Sequence, residues 1–276
     1  MKQKVRNTVK NVAVISRFGL STAAAAIMSL LLGPAYPMQA SNEDKGPQLL
    51  IGSDDDRQDN AAIQAGAVAN QSLNRTDVIS GGSGNDVIFG LNGNDVIEGG
   101  PGSDIILGGP DGGPAPGGPP NSDIMFGGPG DDVNLWAPGD GSEAFIGGPG
   151  RDAVVFGATD VEAVADPQTG VRLPKLLFGV EGFPQGIPTA SVSGLAQHCT
   201  LERSPLPGYD YLLRFVGPAG NIIVTVRLRD TEQVFCPSGG GTGIAFADVS
   251  LAAPAFIDVS QQQVEALNPL VAAMIR

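Results

Sequence analysis

The chain has 276 residues, and its 16 lysines and arginines are outnumbered by 29 aspartates and glutamates, a formal net charge of −13 at pH 7. A surface of that sign repels nucleic acid and anionic membranes and attracts divalent cations. With two cysteines, no C-x-x-C spacing and one histidine, the chain also lacks the usual ligand set of a zinc or thiol redox site.

Residues 1–40 carry five basic residues, Lys2, Lys4, Arg6, Lys10 and Arg17, and no acidic one; the run FGLSTAAAAIMSLLLG spans Phe18 to Gly33. A positive segment followed by an apolar one is the pattern of a bacterial secretory signal peptide. The run is 16 residues long, short of the roughly 20 that a membrane-spanning helix needs. Cleavage is therefore expected, after Ala40 or alternatively after Ala35, and an uncleaved anchor is the other reading. The first cysteine, Cys199, is far from the signal, which argues against a lipid anchor. Removing residues 1–40 leaves 276 − 40 = 236 residues and 16 − 5 = 11 basic against 29 acidic residues, a net charge near −18. The expectation is a secreted or periplasmic protein with no integral membrane association after cleavage.

Residues 41–71 read as an acidic linker or cap. They contain LLIG and then Asp54, Asp55, Asp56 and Asp59. Carboxylates so close together can hold a cation, but no glycine or fixed spacing positions them, and such runs are more often solvated loops.

Residues 72–155 are organised by a period of nine. From Gly81 to Leu107 the chain reads GGSGNDVIF, GLNGNDVIE and GGPGSDIIL, three units in register with aspartate sixth and isoleucine eighth. A fixed short period dictates architecture before local propensity matters. Early glycines allow a sharp turn in which main-chain carbonyls converge. The sixth residue adds a carboxylate oxygen, and carbonyl plus carboxylate oxygens are the donors that Ca²⁺ prefers. Residues seven to nine make a short strand whose middle side chain points away from its neighbours and fills the inside of a coil. The register extends to eight units. Ser72–Ser80 keeps Asp77 but has lost its glycines, as a terminal unit does. The ten residues 108–117 interrupt the period before Asp123 and Met125 resume it. Asp132 follows, with Asn134 in the inward position. Trp136 and Ala137 precede a unit with Glu143 in place of aspartate, and Asp152 with Val154 closes the array.

This template, G-G-x-G-x-D-x-U-x with U a large apolar residue, resembles the calcium-binding nonapeptide of the RTX, or haemolysin-type, proteins. The resemblance covers residues 72–155 and implies a parallel β-roll with Ca²⁺ as its cofactor. Carried over residue by residue, it makes Asp77, Asp86, Asp95, Asp104, Asp123, Asp132 and Asp152 the metal-site carboxylates. The turn glycines of those sites are Gly82, Gly84, Gly93, Gly100, Gly102, Gly128, Gly130, Gly148 and Gly150. RTX proteins typically leave the cell on an uncleaved C-terminal signal, and the basic, apolar start of this chain departs from that pattern.

Residues 156–276 lose the period and read as a β-rich domain. Tyr209 to Leu228 is a β-hairpin, YDYLLRFV and IIVTVRL about the turn GPAGN, with Tyr209, Tyr211, Leu213 and Phe215, and after the turn Ile222, Val224, Val226 and Leu228, alternating against a face that carries Arg214 and Arg227. Ile244–Leu251 and Phe256–Val259 are further expected strands. Cys199 and Cys236, an even pair in an exported chain, are most simply one disulfide, tying neighbouring strands of this domain. Ser260 with Gln263 forms a capping box, Asn268 and Pro269 restart a second helical turn, and Val264, Leu267, Val271 and Ile275 fall near one face. That face suits packing on the domain rather than a secretion signal.

No H-E-x-x-H and no G-x-S-x-G occurs, so neither a zinc protease nor a lipase elbow is indicated. His198 beside Cys199 reads as structural. Trp136, at the point where the repeat pattern fails, either stacks on a sugar or covers the end of the coil. Apolar residues at positions seven and nine either lie under flanking segments or form a contact surface. The expected architecture is mostly β: a short parallel β-roll of nonapeptide repeats followed by a small β-rich domain with a C-terminal helix. Calcium binding without catalysis is the expected activity. The alternatives are an adhesion or matrix module that binds an extracellular polysaccharide or protein through residues 156–276, and a hydrolase with an unfamiliar site.

Overall fold

A computed structural model describes residues 49–51, 78–90, 94–109, 122–159, 174–193, 196–239 and 243–275. The signal segment 1–40, the cluster from Asp54 to Asp59, Asp77, Gly93 and most of the interruption at 108–117 lie outside the described residues.

Where their turns are described, the repeats turn at glycines and then extend for three or four residues, because a coil of two repeats per turn leaves room for only a short strand on each side. The strands are β1 (Leu49–Ile51), β2 (Val78–Ser80), β3 (Val87–Phe89), β4 (Val96–Glu98), β5 (Ile105–Leu107), β6 (Ile124–Phe126), β7 (Val133–Trp136), β8 (Ala144–Ile146) and β9 (Ala153–Phe156). Successive strands fall alternately into two parallel stacks, β2-β4-β6-β8 and β1-β3-β5-β7-β9. The LLI of the acidic segment is thus the first strand of one stack, with Leu50 opposite Ile88. The interruption before β6 is absorbed without loss of register: Val96 stands opposite Ile124 and Ile105 opposite Val133.

The chain after the repeats continues both sheets. Its strands are β10 (Ala158–Thr159), β11 (Leu176–Leu177), β12 (Ile187–Pro188), β13 (Ala190–Ser191), β14 (His198–Arg203), β15 (Tyr211–Val216), β16 (Ile222–Arg229), β17 (Gln233–Pro237), β18 (Ile244–Asp248) and β19 (Ile257–Val259). β16 pairs parallel with β8 and carries the antiparallel strands β15 and β14. β17 pairs parallel with β9 and carries β18 and β19. In the expected hairpin, Tyr211, Leu213, Phe215, Val224, Val226 and Leu228 face inward. Ile222 departs from that alternation and is exposed, because the pairing shifts between Phe215 and Val216.

One apolar interior runs the length of the molecule. The eighth residues of the repeats, Ile79, Ile88, Ile97, Ile106, Met125, Phe145 and Val154, pack in a column that merges with the inward side chains of the C-terminal strands. Asn134 interrupts the column; it is buried and its Nδ2 donates to the Met125 sulfur at 3.2 Å. Trp136 lies in this interior, stacked on Phe156 at 4.9 Å and tilted against Phe215 at 5.2 Å, with its indole N–H donating to the Gly141 carbonyl. At 3 % exposure it covers the core and offers no face for a sugar.

Cys199 and Cys236 are disulfide-bonded, 37 residues apart in sequence. The bond ties neighbouring strands of the chain after the repeats, as expected. β14 and β17 belong to opposite sheets and meet at the single bridge between His198 and Ser238. The bond therefore closes the two sheets over their shared interior, where both cysteines are buried. Closing a loop of this length constrains the unfolded chain by roughly 3–4 kcal/mol. Cys199→Ala with Cys236→Ala is expected to lower stability by about that amount in denaturant titration, and an unchanged midpoint would contradict it.

The outward residues at positions seven and nine of one stack, among them Val87, Phe89, Ile105, Leu107, Val133 and Leu135, form a second cluster. Flanking segments cover them. Phe183, Ile187, Ala190 and Val192 pack there, together with the helices α1 (Gln261–Leu267) and α2 (Pro269–Met274) through Val264, Val271 and Met274. Both helix starts follow the sequence expectation: Ser260 and Gln263 make the capping box, and the Asn268 side chain caps the helix that Pro269 begins. Among the described residues, no helix is long and apolar enough to cross a membrane.

Candidate metal centre

The sixth residue of each repeat leaves the turn just before the strand, so parallel stacking places these residues above one another. On one edge Asp86 N–H donates to Asp104 Oδ1 at 2.8 Å, Asp104 N–H to Asp132 Oδ1 at 2.7 Å, and Asp132 N–H to Asp152 Oδ1 at 2.9 Å. On the other edge Asp95 N–H donates to Asp123 Oδ1 at 2.7 Å. Each carboxylate thus spends one oxygen holding the turn before it.

The second oxygen points elsewhere. Asp104, Asp123, Asp132 and Asp152 are all 0 % exposed, and none of their Oδ2 atoms has a hydrogen-bond partner. A buried carboxylate oxygen left so is costly unless a cation meets it. The surroundings are oxygen-rich. A Cβ built on Gly81 would lie 2.5 Å from Asp86 Oδ2 and 2.5 Å from the Gly99 carbonyl oxygen. The same pairing of a carboxylate oxygen with the carbonyl of the next turn recurs at Gly90 (Asp95 and Gly108), Gly99 (Asp104 and Gly127) and Gly127 (Asp132 and Gly147). At Gly108 the partners are Asp123 Oδ2 and Glu143 Oε1, so Glu143 enters the second edge where aspartate was expected.

These first-position glycines were not among the expected site residues, although their recurrence at the head of the repeats is a signal that sequence offers. The expected glycines at positions two and four do something different. A side chain at Gly100, Gly102, Gly128, Gly130, Gly148 or Gly150 would collide with a carbonyl of the turn beneath, respectively Gly82, Gly84, Gly100, Gly102, Gly128 and Gly130. Gly102, at φ +150°, is also left-handed, where a side chain is strained. These glycines permit the close stacking that brings the carboxylates together.

Burial sets the electrostatics. It pushes the carboxyls up from their ordinary range, Asp104 to about 8, Asp123 to about 7, Asp132 to about 9 and Asp152 to about 8. The main-chain N–H bonds oppose this, while neighbouring carboxylates reinforce it on Asp104, Asp132 and Asp152. Such groups resist ionisation without a counter-ion. Among the described residues no three His, Cys, Asp or Glu side chains cluster as a metal site; the donors that converge are a carboxylate oxygen and main-chain carbonyls. Hard oxygen donors of this kind fit Ca²⁺ and do not fit a soft metal.

Residues 73–110 match the family model for the RTX calcium-binding nonapeptide repeat, in four copies. No curated protein and no solved structure matches the chain.

Proposed function

We propose that this chain, whose residues 73–110 carry RTX calcium-binding nonapeptide repeats, is an exported protein whose β-roll folds on binding Ca²⁺. The reading rests above all on the buried Oδ2 atoms of Asp104, Asp123, Asp132 and Asp152, which have no hydrogen-bond partner in a coil otherwise rich in main-chain hydrogen bonds. The ions would be held by the sixth-position carboxylates, Asp77, Asp86, Asp95, Asp104, Asp123, Asp132 and Asp152, together with carbonyls of the glycine turns. Bound calcium supplies positive charge between carboxylates that otherwise repel one another. The chain supplies the rest. Its glycines let the turns stack, its eighth residues fill the coil, and the strands after residue 156 cover one end. Residues 72–155 form the calcium-binding region and 156–276 the covering region in this reading, and no catalytic role is assigned to either. Export follows from the basic and apolar segment at residues 1–40.

Extracellular calcium modules work at roughly 10⁻⁴ to 10⁻³ M. Circular dichroism of the chain from Ser41 onward should therefore gain β signal as calcium is raised through that range. A spectrum that is the same in chelator and in millimolar calcium would refute coupled folding.

A further inference from the structure

The ladder on the Asp86 edge does not stop at the last repeat. β17 pairs with β9 so that Gln233 stands opposite Ala153, which brings Glu232 level with Asp152. Asp152 N–H donates to Glu232 Oε2 at 2.8 Å, the bond that Asp132 N–H makes to Asp152 Oδ1 at 2.9 Å one turn earlier. The main chain repeats the pattern. Gly127 and Gly128 donate to the carbonyls of Ile146 and Gly147; one turn on, Gly147 and Gly148 donate to those of Arg229 and Asp230. A Cβ on Gly147 would meet Asp152 Oδ2 and the Asp230 carbonyl oxygen, as one on Gly127 would meet Asp132 Oδ2 and the Gly147 carbonyl oxygen. Asp230, at φ +46°, is the one non-glycine with positive φ among the described residues, so it turns the chain where a repeat would use glycine.

The geometry points to a further calcium site at this end of the ladder, shared by the last repeat and the C-terminal segment and bounded by the Asp152 carboxylate, the Asp230 carbonyl and the Glu232 carboxylate. It rests on the calcium-binding reading of the repeats, but Glu232 and Asp230 belong to no repeat. Two observations carry it. Asp152 Oδ2 is buried with no hydrogen-bond partner, and it faces the same kind of carbonyl as its counterparts inside the array. The opposite edge is closed in another way. There Arg227, on β16 beside β8, donates from its guanidinium to the Glu143 carbonyl oxygen at 3.2 Å and to Ser122 Oγ at 2.9 Å. One edge thus ends on the Arg227 guanidinium, and the other on the Asp152 and Glu232 carboxylates, where Asp230, Asp248 and Asp131 add to the negative field at Glu232 and Arg229 pairs with the Asp230 side chain at 3.2 Å. Because Glu232 is only partly buried, an ion held there can exchange with solvent.

The test is calcium stoichiometry of the chain from Ser41 onward, by equilibrium dialysis and atomic emission, for wild type, Glu232→Gln and the exposed-helix control Glu265→Gln. Glutamine keeps an oxygen for the Asp152 N–H and removes the charge. Glu232→Gln is expected to bind one ion fewer at saturation, with Glu265→Gln unchanged. Equal stoichiometry and affinity in Glu232→Gln and wild type would overturn this site alone. Wild-type protein that takes up no calcium would overturn the reading of the repeats and this site with it. If Glu232→Gln does not fold, anomalous diffraction from wild-type crystals soaked in Tb³⁺ decides. A peak between Asp152 and Glu232 supports the site, and ions along the repeats with none there overturn it.

Discussion

Calcium-stripped protein is expected to lose its coil as pH rises from about 5 to about 9, while protein in millimolar calcium keeps it. The sign follows from the buried carboxyls. In the unfolded chain an aspartate titrates near 3.9; in the coil Asp123, Asp104, Asp152 and Asp132 titrate at about 7, 8, 8 and 9. A folded value above the unfolded one favours the fold fully below the unfolded pKa, and that contribution is lost as pH climbs through the folded pKa. Raising a pKa by one is equivalent to about 1.4 kcal/mol, so each group costs on the order of a few kcal/mol once the pH exceeds its folded value. Whole-domain stability is only about 5–15 kcal/mol, so four such groups suffice to unfold the coil. Calcium is expected to reverse the dependence, because a bound divalent ion would take the place of the protons and its binding would release them. Urea midpoints at pH 5, 7 and 9, with and without calcium, read the effect. A calcium-free midpoint that rises with pH would contradict this coupling of burial to ionisation.

Asp132→Asn should separate the two forms of the protein by acting on them in opposite directions. Asp132 has the highest of the four values, about 9, because burial and the charges of Asp104 and Asp152 all resist its ionisation. Asparagine keeps an oxygen for the Asp104 N–H that now binds Asp132 Oδ1, and it presents an amide toward the region shared with the Gly147 carbonyl. Without calcium at pH 9 the variant is expected to be more stable than wild type by roughly 1–3 kcal/mol, the size of removing a poorly solvated charge. With calcium, half-saturation should move up tenfold or more, equivalent to about 1.4 kcal/mol. Loss of stability under both conditions would show that Asp132 is only a structural acceptor.

The repeat array is legible in the sequence because its period is short and each residue does one job per turn. The described aspartates six, from Asp86 to Asp152, and the apolar residues eight are found at the edge and in the interior where the nine-residue register puts them, across an interruption that left the register intact. The capping box at Ser260 and the restart at Pro269 are equally local, so they too can be read directly. What escaped was set by distance. Glu232 stands 80 residues beyond Asp152 in a stretch with no period, and only the pairing of β17 with β9 brings it to the ladder. The disulfide pairing was readable from a count of two, but which sheets it joins depends on the topology of β14 and β17. Trp136 marked a break in the pattern, and its burial against Phe156 and Phe215 follows from side chains that the repeat does not specify.

The route by which the chain closes its sheets bears on the order in which they form. Within the array, paired residues are 18 to 28 positions apart, whereas Asp152 meets Glu232 across 80. Closing the longer span costs about 1.3 kcal/mol more in loop entropy than closing the shortest, and pairings of higher contact order form later. The coil should therefore propagate turn by turn, and the β9–β17 junction should be the late, rate-limiting step. Until then the last repeat presents an unpaired strand edge to solvent, and the species most exposed to intermolecular pairing is a coil that has wound but not yet been closed.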